Sequence, residues 1–267
     1  MVRKFFTRIY AQKYRWNITK IKKWFFSLIY FVLFIFNVII PPCVLKGCSW
    51  TEIGEIIGGL FLTSWELYIW LAIFFHLALI ALIIAIFLFK EKVSGLFSFY
   101  IGLNYIFIAL TQEMAYAKEY GSKVLTGIFF SIILIGALWI WDATKPKTET
   151  KFRKLSITRY WMIPLAFLAY WFPINLKTGE PDFNPILLLT SVGYGLTFRM
   201  TTPVILCLLT LFYPYVNKAA YRITAFAGVI IGFWNALQLL NPENKWYGIL
   251  HLPLLLISIY ALILSDK

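Results

Sequence analysis

Residues 65–89 read WELYIWLAIFFHLALIALIIAIFLF. Glu66 stands at the outer edge, His76 is the one ionisable group inside, and the remainder is apolar or weakly polar. Roughly 20 such residues, rising 1.5 Å each as a helix, cross the ~30 Å hydrocarbon layer of a bilayer. The stretch therefore predicts a transmembrane helix, and the composition extends that reading to the whole chain. Of 267 residues, 61% are hydrophobic, 19% aromatic and only 14% charged. Soluble domains carry about 45–50% apolar and about 25% charged residues. In lipid every backbone polar group must be satisfied internally, and the short alternating segments of a β-barrel are absent. The expected fold class is all-α, a polytopic integral membrane helix bundle.

Eight apolar segments follow one another: Trp24–Ile40, Trp65–Phe89, Val93–Ala117, Val124–Trp141, Arg159–Ile174, Ile186–Tyr213, Ile223–Leu240 and Ile249–Leu264. Basic residues set their orientation, since cytoplasmic loops retain Lys and Arg. With the N-terminus inside, nineteen of the 25 fall on the inner side, eight of them within residues 1–23, and five on the outer side. The remaining one, Arg199, lies inside a segment. About eight transmembrane helices with both termini cytoplasmic are expected, most simply in the cell (plasma) membrane. The basic segment 1–23 precedes a single transmembrane domain, 24–267, whose cytoplasmic linker near 142–158 separates two four-helix halves. The net charge of +13 thus reflects topology and attraction to anionic headgroups at the cytoplasmic face of the lipid bilayer. No nucleic-acid partner is expected.

In the outer loop, Ser49-Trp50-Thr51-Glu52 fits a capping box, and Ile53, Ile56, Ile57, Leu60 and Phe61 recur at helical spacing. A surface helix over Trp50–Leu62 is expected. Cys43 and Cys48, both on the outer side, could close a disulfide in an oxidising compartment. No Cys/His cluster has metal-ligand spacing, so no metal and no cofactor are expected. No internal repeat supports an inverted-repeat transporter.

Ionisable groups in lipid cost at least about 2.5–3.5 kcal/mol and need a reason. Arg199 is the sharpest case. It lies near mid-depth by helical rise, and Pro203 removes the N–H that would bond its carbonyl, so a broken or kinked helix facing a polar interior is expected. Ser191 and Thr202 share its broad face. His76 and Asn104 are the other candidates for this site, although a lone His among apolar neighbours is more often a packing residue. Glu113, Asn235, Gln238 and His251 fall near the outer ends of their helices and could line an outward vestibule. Asn235 shares its face with Gly228-x-x-x-Gly232, a small-residue packing motif.

Ser191-Val192-Gly193-Tyr194-Gly195 resembles the selectivity filter of potassium channels, with Ser in place of the family's Thr. That resemblance implies backbone carbonyls replacing an ion's water shell. It covers five residues only. Pro185–Thr190 is too short for the family's pore helix, and Leu196 stands where an acidic residue belongs. Coincidence in a Gly- and Tyr-containing helix is the preferred reading.

Two functions fit these features. The leading one is a small-molecule or ion transporter with a mid-membrane polar site around Arg199. The alternative is an intramembrane enzyme acting on a lipid headgroup at the outer leaflet, with Glu113 and His251 as acid–base groups. A non-catalytic membrane assembly subunit would need neither.

Overall fold

The computed structural model describes residues 26–40, 43–44, 69–117, 121–152, 157–176, 178–242 and 245–266. The basic segment 1–23, the surface helix Trp50–Leu62 and the pairing of Cys43 with Cys48 lie outside the described residues. The helices are α1 (Phe26–Val38), α2 (Ala72–Phe89), α3 (Ser94–Gln112), α4 (Thr126–Thr144), α5 (Met162–Trp171), α6 (Leu187–Thr190), α7 (Phe198–Phe212), α8 (Lys218–Ala236) and α9 (Lys245–Ser265). Four helical stretches are long and apolar enough to cross a membrane: Ile69–Gln112, Thr126–Thr144, Lys218–Leu240 and Lys245–Ser265. The chain is thus an integral membrane protein.

The first of these stretches folds back on itself. Lys90 adopts a left-handed φ of 51° and Lys90–Val93 forms a 3-10 turn. As a result the Tyr100 hydroxyl reaches the Phe75 carbonyl at 3.4 Å, and the rings of Phe75 and Phe107 lie 5.1 Å apart. Helices α3 and α4 meet through glycines. A Cβ on Gly102 would sit 2.8 Å from the Gly136 carbonyl oxygen, closer than real contacts allow. Helices α8 and α9 meet at Gly228, against Ser258, and at Gly232, whose Cβ would lie 2.9 Å from the Leu255 Cα. Small residues let helix backbones approach closely where lipid supplies no hydrophobic drive.

One end of the bundle collects the basic residues. There the Asp142 carboxylate, 1% exposed, accepts four hydrogen bonds. Ser98 and Thr148 donate to Oδ2 at 2.7 and 2.8 Å, and the Lys147 N–H and Asn217 Nδ2 donate to Oδ1 at 3.0 Å. The Arg159 guanidinium donates to the carbonyls of Thr210 and Tyr213, at 3.2 and 2.6 Å. Those carbonyls close the C-terminus of α7, where a cation is favoured. Arg222 pairs with Asp266, and Lys151 with Glu91. The described part of the polar linker is therefore anchored: Thr150 is fully buried and donates to the Lys90 carbonyl at 2.7 Å.

Two segment bounds are corrected. Helix α3 ends at Gln112, and Met114–Ala117 forms β2, which pairs antiparallel with β3 (Gly121–Val124). β1 (Cys43–Val44) adds on the other side of β3, giving the order β1-β3-β2. The helical bundle stands, with this small sheet beside it; the expected segment Val93–Ala117 is too long because Met114–Ala117 is apolar enough to extend a hydropathy run. Second, Arg159–Ile174 contains only ten α-helical residues, because Phe172 turns left-handed (φ 46°) ahead of Pro173. The expected interruption of Ile186–Tyr213 falls between Thr190 and Phe198, ahead of Pro203, and this break makes the site.

Candidate functional site: a broken helix between two cavities

Helix α6 lasts one turn, the backbone becomes extended at Ser191, and α7 begins at Phe198. Two glycines permit the passage between them. Gly195 has φ 79°, which glycine adopts without steric cost, and a Cβ there would strike Phe75. A Cβ on Gly193 would lie 2.8 Å from Phe172.

Breaking a helix inside a bilayer exposes backbone groups that must find partners, and side chains supply them. Asn104 Nδ2 donates to the Gly195 carbonyl at 2.8 Å, and the Gly195 N–H donates to Thr201 Oγ1 at 2.8 Å. Thr197 caps α7 by accepting from the Met200 N–H, and its hydroxyl donates to the Gly193 carbonyl at 3.0 Å. Gln112 Oε1 accepts from the Phe198 N–H at 2.9 Å. The Gly193 and Gly195 carbonyls are therefore committed to protein donors. Two of the five backbone carbonyls that the filter resemblance would offer to an ion are thus engaged inside this chain.

This break moves Arg199. It stands in the first turn of α7, not at the middle of a long helix. Gln112 is the last residue of α3 and holds the neighbouring Phe198, so Arg199 is level with the end of α3 opposite the basic end. The 13 residues of α7 that follow it, about 20 Å of helix, separate it from the Arg159 end.

Around Arg199 is a cavity of about 310 Å³, at the small end of ligand sites of about 300–1,000 Å³. Its polar lining is Asn37, Gln112, Glu113, Arg199, Asn235 and Gln238; Phe198, Ile231 and Trp234 contribute apolar walls. The Arg199 guanidinium hydrogen-bonds the Tyr247 hydroxyl and lies within electrostatic reach of Glu113 and His251. Glu113 is 2% exposed, and its Oε2 has no hydrogen-bond partner among the described residues. His251 stacks against Tyr247, with ring centroids 4.6 Å apart, and its Nδ1 donates to the Tyr247 carbonyl at 2.6 Å. Its buried Nε2 is unpartnered among the described residues, although it does not line the cavity.

The sequence-predicted residues thus regroup. Glu113, Asn235 and Gln238, assigned to an outer vestibule, share one cavity with Arg199, assigned to a separate site. Of the others expected beside Arg199, Thr202 is fully buried and accepts from Tyr105 at 3.1 Å. Asn104 supports the break, while His76 and Ser191 meet each other elsewhere. Gln112, Asn37 and Tyr247 were not among the expected site residues. The i, i+4 spacing of Tyr247 and His251 was the signal available for one of them. Among the described residues no three His, Cys, Asp or Glu side chains gather as a metal site would require.

Fold and site together define a multi-pass helical membrane protein with a buried arginine in a cavity at one end of the bundle. No family model, no curated protein and no solved structure matches the chain.

Proposed function

We propose that the protein acts at one membrane interface, binding an anionic lipid headgroup in the Arg199 cavity. In this reading the chain crosses the plasma membrane eight times, with α6, the break and α7 counted as one traverse. Both termini are cytoplasmic, the basic end meets anionic headgroups of the inner leaflet, and the cavity opens towards the outer leaflet. The observation that carries the proposal is the sharing of one polar cavity by Arg199 and Glu113 at the ends of α3, α7 and α8. Below that level α7 is buried from Met200 to Phe212, which supports a dead-end pocket over a path through the bilayer. Glu113 and His251 are the acid–base candidates of a headgroup-directed enzyme.

Transport is the second reading, favoured by the discontinuous α6–α7 helix. Half-helix N-termini aimed at anions are a transporter device. Arg199→Gln keeps side-chain length and hydrogen bonding but removes the charge. Native mass spectrometry of the purified variant with a short-chain phosphatidylglycerol should show near-native thermal stability and at least tenfold weaker binding. Unchanged binding would refute the Arg199 reading. Uptake of a small anion into protein-containing vesicles, lost on Arg199→Gln, would favour transport.

A further inference from the structure

A second cavity, of about 630 Å³, is bordered by the start of α2 and the α5–α6 loop, and Thr190, Ser191 and Val192 form part of its wall. Ser191 closes the last turn of α6 with its N–H on the Leu187 carbonyl at 3.1 Å, then turns extended. The N–H groups of Val192 and Gly193 that follow have no hydrogen-bond partner among the described residues. Ser191 Oγ lies 3.3 Å from His76 Nε2. The Ser191 hydroxyl also lies 3.4 Å from the Tyr170 carbonyl. The other His76 ring nitrogen, Nδ1, is 2.8 Å from the Ala72 carbonyl, the shorter of the ring's two carbonyl contacts, and the tautomer that donates there is the one the pair uses. In the neutral ring Nε2 is then an acceptor facing the serine hydroxyl. Tyr170 and Tyr194 hold the ring, with centroids 4.7 and 5.5 Å away. The Tyr170 carbonyl lies 3.2 Å from Nε2, placed to accept from an imidazolium once the proton has moved.

A nucleophile, a base in hydrogen-bond reach and a third group that orients the base make an activated serine. Here the orienting group is a backbone carbonyl instead of a carboxylate. We propose that Ser191 and His76 are a nucleophile–base pair that cleaves an acyl ester of a membrane lipid. The substrate class follows from a groove of about 740 Å³ between α2 and α5, floored by Val204 and Leu208 of α7. Exposed Ile80, Phe87, Ile163 and Phe167 put this groove on the lipid-facing surface. It reaches Tyr170, whose carbonyl adjoins the pair, and Leu188, which neighbours Leu187 in the wall of the second cavity. An apolar groove open to hydrocarbon holds an acyl chain. His76 lies four residues into α2, about 6 Å below its start, near the level of glycerolipid ester groups.

In the first step Ser191 Oγ bonds to the ester carbonyl carbon as its proton passes to His76 Nε2. The Val192 and Gly193 N–H groups are the donors available to the oxyanion. The carbon–oxygen bond to the glycerol side then breaks, and His76 returns the proton to the departing alcohol. Water, deprotonated by His76, attacks the acyl-Ser191 ester, releasing the fatty acid and restoring the serine hydroxyl.

The inference stands independently of the Arg199 cavity, and its test separates the two. Purified full-length protein treated with a fluorophosphonate probe should acquire one adduct, which peptide mass spectrometry should place on Ser191. Vesicles of phosphatidylglycerol should release fatty acid in its presence. Ser191→Ala should abolish both and His76→Asn should slow both by about 10²–10⁴-fold, whatever the lipid-binding measurement on the Arg199 cavity returns. Absence of an adduct on Ser191 in folded wild-type protein overturns the proposal, whether or not the variants fold. Undiminished labelling in a stably folded His76→Asn variant overturns it too.

Discussion

Asp142→Ala is expected to lower the stability of the purified protein by about 3–5 kcal/mol, the largest single loss from one buried polar side chain. The carboxylate joins four separate pieces of chain: Ser98 on α3, its own helix α4, the linker through Lys147 and Thr148, and Asn217 at the start of α8. Removing it leaves the buried Ser98 and Thr148 hydroxyls, and the less buried Lys147 N–H and Asn217 amide, without their acceptor, and a bond to a charged group typically contributes about 1.5–3 kcal/mol. Asn217 also caps α8, accepting from the Ala220 N–H, so its displacement frays that helix. Asp142→Asn retains one acceptor oxygen and should lose less than half as much. Ser98→Ala deletes a single donor and should cost about 1 kcal/mol. Thermal unfolding in detergent gives the order Ala at 142, Asn at 142, Ala at 98, from most to least damaging. An Asp142→Ala variant as stable as wild type would show that the linker is not held this way.

The second large effect is expected at Gly195, where conformation and packing both demand glycine. Alanine at φ 79° costs roughly 1–2 kcal/mol in backbone strain alone. Its Cβ would also collide with Phe75, a ring held against Phe107 and Phe74. Overpacking of that kind costs about 1–3 kcal/mol, for a total of about 2–5 kcal/mol. Gly179 is a matched control: its φ is 74°, and nothing lies within 4 Å of its would-be Cβ. Gly179→Ala should therefore show the strain term only. Equal melting temperatures for the two variants would contradict the close passage of the broken segment beneath Phe75. A selective loss in Gly195→Ala should extend to the Arg199 site, because the Gly195 carbonyl and N–H anchor the break to Asn104 and Thr201.

How far the sequence carries the structure depends on the length scale of each signal. Trp65–Phe89 declares a membrane helix because hydropathy sums over many residues, and Gly228-x-x-x-Gly232 declares a helix contact because its spacing is local. Arg199 stands out as costly by residue type alone. Its position did not follow, since Ser191–Thr197 is apolar enough to continue a hydropathy run, and only two glycines and a Pro at 203 hint at interruption. The same blindness made Met114–Ala117 part of a helix. Glu113 and Arg199 were assigned to different depths for that reason, and the break brings them to one. Ser191 and His76 are 115 residues apart, so no periodicity could pair them. Asp142 sits where a helix gives way to a basic linker, and it reads there as an ordinary solvated carboxylate. Its burial follows from α3 and α8 converging on it, which is tertiary information.

The central claim is that Arg199 lines a hydrated pocket open at the outer face of the membrane. Arg199→Cys, in a background lacking Cys43, Cys48 and Cys207, tests it most directly. Sealed cells carrying this variant would be treated with a charged, membrane-impermeant thiol reagent. The account predicts modification from outside, slowed by a short-chain anionic lipid that occupies the pocket. A thiol at 199 that stays unreactive in folded protein, or that reacts only from the cytoplasmic side of inverted vesicles, would contradict it.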